Sequence, residues 1–215
     1  MTVKLYCFGE SGNSYKAALS LELAGIQWKP VFVDFFGGQS RSTDYRDLNV
    51  MAEAPVLVDG DFTLSQSGAI QQWAVDKSGK LGGAPEDKYE VLRWVLFDNH
   101  KISSQAGVAR FLLNFLPEEK RPTEAIKFIQ GRLIGALKVL DMHLEGWTWI
   151  AGKTMTIADT ANCGYLFYPE PFGFVRADWP NIDAWLSQIE SVPGWKHPYD
   201  LMPGKPSDRE LRSTL

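Results

Sequence analysis

Cysteine is scarce in this chain: Cys7 and Cys163 are its only two among 215 residues. Two thiols so far apart provide neither a disulfide framework nor a Cys-x-x-Cys metal motif. Histidine is nearly as rare, and His100, His143 and His197 form no His-x-x-x-His pair, so no metal site is expected. There is no basic run, and 22 Lys and Arg against 26 Asp and Glu leave a formal net charge of −4. A general nucleic-acid partner, which needs a phosphate footprint, is therefore not expected. No window is apolar and long enough to span a membrane, and the first residues lack a charged segment followed by an apolar run and a cleavage site. A reducing cytoplasm is the expected location, with no membrane partner.

What is present is ordinary for a soluble globular protein, 45% hydrophobic and 22% charged. The length fits one large domain or two modest ones. Val3-Lys4-Leu5-Tyr6-Cys7-Phe8 is an apolar-rich opening strand, and Gly9-Glu10-Ser11-Gly12-Asn13 has loop composition. From Ser14 the apolar positions Ala17, Ala18, Leu21 and Ala24 fall at helical spacing and stop at Gly25. A second strand over 27–34 completes a βαβ unit with parallel neighbours. Residues 35–49 are polar and read as a loop with a short helix.

Val56-Leu57-Val58 and Phe62-Thr63-Leu64 are β-prone runs on either side of Asp59-Gly60-Asp61, which predicts a tight hairpin. Pro55 stands at the strand entrance, where it removes a ladder donor and where a cis bond is allowed. After the second strand, Ser65-Gln66-Ser67 leads into a helix over 68–77. A serine at a helix start, beside free backbone N–H groups, can hold a carboxylate. A Pro-led strand and an anion-binding helix start, brought together by one hairpin, suit a small peptide.

Ser78-Gly79-Lys80-Leu81-Gly82-Gly83-Ala84-Pro85 is the natural linker. Everything beyond Glu86 reads as helical. Val91, Leu92, Val95, Leu96 and Ile102 mark a long helix running to about Asn114, and Ile126, Ile129, Leu133, Leu137, Leu140 and Leu144 form the stripe of another. Thr156-Ile157-Ala158-Asp159 is a capping box with Asp in place of Glu or Gln, heading a central helix that carries on through 160–167. A further helix starts at Pro180, and the tail from Pro203 is polar and irregular. The expected architecture is α/β plus all-α, with a mixed four-stranded sheet domain over 1–78, a linker over 79–86 and an all-helical domain over 87–215.

These features together resemble the cytosolic glutathione S-transferase family. Ala54-Pro55-Val56-Leu57 matches its hydrophobic-Pro-x-Leu strand, Gln66-Ser67-x-Ala69-Ile70 its [Glu/Gln]-Ser-x-Ala-Ile element, and Thr156-Ile157-Ala158-Asp159 its buried-helix cap. The resemblance covers nearly the whole chain. It implies a thioredoxin-like N-terminal domain, glutathione as co-substrate without a metal, a homodimer, and conjugation of the thiolate to small apolar electrophiles. It also implies that Gln66 and Ser67 bind the γ-glutamyl carboxylate and that Ala54 pairs its backbone with the cysteinyl part beside cis-Pro55. The residues alone leave open that Gln66-Ser67 only caps a helix and Pro55 only starts a strand.

Conjugation needs the thiolate, and a donor that lowers a thiol pKa by two units supplies about 2.7 kcal/mol. Aligned on Leu5-Tyr6, the catalytic serine of the plant-type and related bacterial classes falls on Ser11, with Asn13 as its rival; both also suit helix capping. The tyrosine of the animal-type classes falls on Cys7, and a glutaredoxin-like Cys-x-x-Cys falls on Ser11 and Ser14, so neither of those chemistries is carried. Members commonly place Lys or Gln before the hydrophobic-Pro pair, near the glycyl carboxylate. Here that residue is Glu53, with Gln39 and Arg41 as candidate counter-charges. Phe8, Trp94, Phe97, His100 and Phe111 are candidates for lining an electrophile pocket between the domains. Two other readings stand beside the transferase: a non-catalytic ligand-binding or interaction protein of the same fold, and a glutathione-dependent reductase, peroxidase or isomerase.

Overall fold

A computed structural model describes residues 2–206. They divide into two compact units, 2–80 with 193–206, and Leu81–Val192.

The first unit opens with β1 (Val3–Cys7), α1 (Gly12–Ala24) and β2 (Trp28–Phe32), and β1 and β2 pair in parallel as the βαβ reading requires. Helix α1 starts two residues before its expected first residue, because Ser11 caps it: the Ser11 hydroxyl accepts the Ser14 N–H at 3.1 Å. Gly25 closes the helix at φ 74°, the left-handed conformation that favours glycine. A 3₁₀ turn (Gln39–Arg41) and the short α2 (Thr43–Leu48) occupy the polar stretch. Then come β3 (Val56–Asp59), β4 (Phe62–Ser65) and α3 (Ser67–Ser78).

The sheet order is β2-β1-β3-β4, with β3 antiparallel to both β1 and β4. Alternation along the strands sorts side chains onto two faces. Leu5, Cys7 and Leu57 are fully buried, as are Ala17, Ala18, Leu21, Ile70 and Ala74 of α1 and α3, two helices that pack on each other. Tyr6 and Val56 cluster with Val33, Tyr45 and Leu48, which fastens α2 to the sheet.

Residues 193–206 belong with this unit rather than with the helical one, where the sequence reading had placed them. Tyr15 donates its hydroxyl to the Lys196 carbonyl at 2.9 Å, Lys196 pairs with Glu22 at 2.6 Å, and α9 (Pro198–Leu201) packs on α1. The rest of the polar tail, 207–215, lies outside the described residues.

The second unit contains α4 (Lys88–Phe97), α5 (Ser104–Asn114), α6 (Thr123–His143), α7 (Ile157–Asn162) and α8 (Pro180–Glu190). The expected long helix is interrupted by a π-helical turn, Asp98–Ser103. Its buried line runs through Val91, Trp94, Asp98 and Ile102, while Leu92 and Leu96 face outward. Helix α6 buries Ile126, Leu133, Leu137 and Leu140, as its stripe predicts. Helix α7 is buried at every position but ends at Asn162, shorter than the sequence suggested; residues 163–167 continue as buried turns.

Candidate active site

Strand pairing decides which segments meet. Tyr6 pairs with Val56 and Val56 with Ser65. The exit of β1, the entrance of β3 and the exit of β4 therefore lie at one end of the sheet. The loop after β1 carries Ser11, the residues before β3 are Glu53, Ala54 and Pro55, and those after β4 are Gln66 and Ser67. The first of these segments lies about forty residues before the others, and two ladders make all three neighbours.

Ser11 is 8% exposed. Its carbonyl accepts the Tyr15 N–H at 2.9 Å and its hydroxyl oxygen accepts the Ser14 N–H. A hydroxyl that accepts one bond still has its own proton to donate. Asn13, one residue inside α1, is half-buried, and its Oδ1 has no partner among the described residues. The loop is closed from behind by the C-terminal segment: Gly9 donates to the Pro203 carbonyl at 2.5 Å, and a Cβ on Gly9 would come 2.8 Å from the Gly204 carbonyl oxygen. Phe8 stacks on Phe35 with centroids 4.9 Å apart and meets Phe36 edge-on.

The Ala54–Pro55 peptide is cis and Pro55 is buried. The residue before it is held firmly: the Glu53 carbonyl accepts the Tyr45 hydroxyl at 3.1 Å and the Asn49 amide at 2.8 Å. Burial, with smaller contributions from Cys7 and Tyr6, pushes the Tyr45 phenol up to about 12, so it stays a donor. Gln66, the N-cap of α3, has φ 70°, rare for a residue with a side chain. That side chain does not cap the helix; its amide donates to Glu53 Oε2 and to Met51 Sδ, both at 3.1 Å. The N–H groups that start α3 are thus left uncapped. Beside them Ser67 is 7% exposed, with no hydrogen bond from its hydroxyl among the described residues.

Gln39 and Arg41 do not neutralise Glu53. Gln39 accepts the Asp34 N–H at 2.7 Å, and Arg41 is exposed with no ion pair among the described residues. Cys7 is fully buried, and desolvation pushes its thiol up to about 12, which leaves it an inert core group. Among the described residues no cluster of His, Cys, Asp or Glu could hold a metal.

In the helical unit, Trp94 is 4% exposed, donates to Glu90 at 2.9 Å, and packs on Phe97 and His143 with centroids 5.0 and 4.3 Å away. His100 is exposed in the π-helical turn, and Phe111 is exposed beside Phe115. A groove of about 330 Å³ is lined by Phe97, Lys101, Arg132, Ala136 and Val139. Of the residues singled out by sequence, only Phe97 lines it. Lys101 and Arg132 carried no signal, since only the packing of the π-helical turn against α6 reveals their proximity. Tyr45 and Asn49, which fix Glu53, were missed for the same reason.

Two family models match: the glutathione S-transferase N-terminal domain over residues 1–76 and the C-terminal domain over 109–193. The chain is 26% identical over 212 residues to glutathione S-transferase F9 of Arabidopsis thaliana, covering 91% of this chain and 95% of that protein. Among solved structures, a possible glutathione S-transferase from Rhodopseudomonas palustris is 30% identical, with TM-score 0.86 over 93% of this chain and 90% of the other. A glutathione S-transferase from Pseudomonas fluorescens is also 30% identical, with TM-score 0.85 over 93% of this chain and all of the other. With its mixed four-stranded sheet and following helices, the chain belongs to the cytosolic glutathione S-transferase family.

Proposed function

We propose that the chain is a glutathione transferase that conjugates the glutathione thiolate to small, apolar electrophiles. One observation carries this reading: the Ser11 hydroxyl, the cis Ala54–Pro55 segment and the uncapped start of α3 at Ser67 share one end of the sheet. In this reading Ser67 and the first N–H groups of α3 hold the γ-glutamyl carboxylate, and Ala54 aligns the cysteinyl backbone as an added strand. The Ser11 hydroxyl donates to the sulfur, favours the thiolate, and remains bonded as the nucleophile forms. The thiol proton passes to solvent, the sulfur attacks carbon, and the leaving group departs with the bonding pair. Asn13 is the alternative donor. In this reading Arg41 is a candidate for the distal carboxylate, and the aromatic surface of Phe8 with Phe35 and Phe36 supports an apolar acceptor.

The same proposal includes a homodimer and a cytoplasmic location. The outer faces of α4 and α6 support self-association, with Leu92, Leu96, Phe128 and Val139 all exposed. Among the described residues no helix is long and apolar enough to cross a membrane.

The test is a conjugation assay with glutathione and chlorodinitrobenzene, read by absorbance of the product. Turnover that saturates in glutathione is expected. Tight binding without turnover favours the non-catalytic reading, and activity confined to disulfides, peroxides or a cis-trans substrate favours the reductase, peroxidase or isomerase reading.

A further inference from the structure

Ser11 is bracketed along the chain by two residues that donate to the C-terminal segment. The Gly9 N–H donates to the Pro203 carbonyl at 2.5 Å, and the Tyr15 hydroxyl donates to the Lys196 carbonyl at 2.9 Å. Between them Ser11 closes a turn by donating its N–H to the Phe8 carbonyl at 3.1 Å, and its own carbonyl accepts the Tyr15 N–H at 2.9 Å. Gly9 and Glu10 are the central residues of that turn. A shift of Gly9 or of Tyr15 is therefore passed to the Ser11 hydroxyl through a single turn of backbone.

The grip at Gly204 is close on two sides. Gly204 has φ 89°, in the left-handed region that favours glycine, and a Cβ built on it would come 2.6 Å from Cε2 of the Phe32 ring. On the other side, a Cβ built on Gly9 would come 2.8 Å from the Gly204 carbonyl oxygen. The segment is thus threaded between the Ser11 loop and the end of β2, and both contact points require glycine. Its approach is fixed by buried groups further back. Leu201 and Met202 are buried, α9 packs on α1, Tyr15 is fully buried, and Lys196 pairs with Glu22 at 2.6 Å.

We propose that Gly204 and Tyr15 are positioning residues for thiolate formation: through them the C-terminal segment holds the Ser11 hydroxyl where it donates to the glutathione sulfur. This rests on the reading that Ser11 stabilises a bound thiolate. Such a donor is effective only within a narrow range of distance, and about 1 Å of misplacement can cost a hundredfold. A loop tied at both ends to the same segment keeps its hydroxyl within that range.

The pKa of the bound thiol tests this in the full chain, read from the ultraviolet absorbance of the thiolate in the complex with glutathione. Gly204→Ala is expected to raise it by about one pH unit, a tenfold loss of thiolate below both pKa values, and Tyr15→Phe by about half a pH unit. Neither substitution is expected to raise it further beside Ser11→Ala. A purely structural role would lower the melting temperature and leave the pKa of the bound thiol where it was. A folded Gly204→Ala with the wild-type thiol pKa overturns the proposal, and so does a shift that persists undiminished beside Ser11→Ala. Where Gly204→Ala fails to fold, Tyr15→Phe carries the same test, and an unmoved thiol pKa there overturns the proposal. A wild type whose bound thiol titrates as free glutathione does overturns the thiolate reading and this proposal together.

Discussion

The indole N–H of Trp185 donates to Asp159 Oδ1 at 2.9 Å, tying α8 to the first turn of α7. The same carboxylate accepts the N–H groups of Ile150 and Thr156 at 2.9 and 2.8 Å and the Thr156 hydroxyl at 3.2 Å. The capping box read from sequence is therefore also the junction of a loop and two helices.

Burial pushes the Asp159 carboxyl up from 3.8 to about 6, held back by those four donors. The folded state then binds a proton more tightly than the unfolded chain, so this group's contribution to stability is complete below about pH 4 and is lost as pH rises through about 6. In Asp159→Asn nothing titrates at this position. The wild type should be more stable than the variant at pH 4, with the gap shrinking by roughly 2 kcal/mol by pH 6.5. Urea melts across that range measure it; a gap that widens with pH refutes the assignment.

Ser11 caps α1 and is the proposed thiolate stabiliser, and the two roles separate experimentally. As the N-cap of α1 it should cost about 1 kcal/mol of stability when replaced by Ala. As thiolate stabiliser in the proposed reaction, Ser11→Ala should move the acidic, rising limb of the kcat/KM profile up by about two pH units, which Asn13→Ala should not do. If Asn13→Ala shifts the profile and Ser11→Ala leaves it alone, the two roles are exchanged.

Gly9 has no room for a side chain. Its hypothetical Cβ sits 2.8 Å from the Gly204 carbonyl oxygen and 3.2 Å from that of Pro203, both backbone atoms. Gly9→Ala should cost about 1–3 kcal/mol in thermal melts, the usual penalty of overpacking. Truncation before Pro203 should remove most of the difference between the wild type and Gly9→Ala. Equal melts with the tail intact would contradict the close approach.

Gly135 is the reverse case. It lies inside α6, and nothing comes within 4 Å of a Cβ built there. Gly135→Ala should stabilise the chain by about 1 kcal/mol through helix propensity alone. Denaturation at low protein concentration tests this, and a loss of stability would show that the open face is packed in solution.

Much of the fold is legible because its signals are local. Gly25 stops α1, Pro55 opens β3 and Asp59-Gly60-Asp61 turns the hairpin, each through its own backbone chemistry. The α6 stripe follows from spacing alone. The π-helical turn Asp98–Ser103 was hidden, because the bond from the Ser103 hydroxyl to the buried Asp98 carboxylate at 2.8 Å forms only in the folded core. Leu92 and Leu96 read as core for a related reason: periodicity marks a face without saying which neighbour covers it.

The sequence by itself determined the order of strands and helices, the hairpin, the caps and the residues on which the proposed glutathione site rests. Those depend on backbone preference and on apolar period, which act over a few residues. Only the tertiary structure decided that Ser11, Pro55 and Ser67 meet at one end of the sheet, that residues 193–206 close behind Gly9, and that Glu53 turns toward Gln66 and not toward Arg41. Each is a contact between segments distant in the chain, set by strand register and by competition for hydrogen-bond partners.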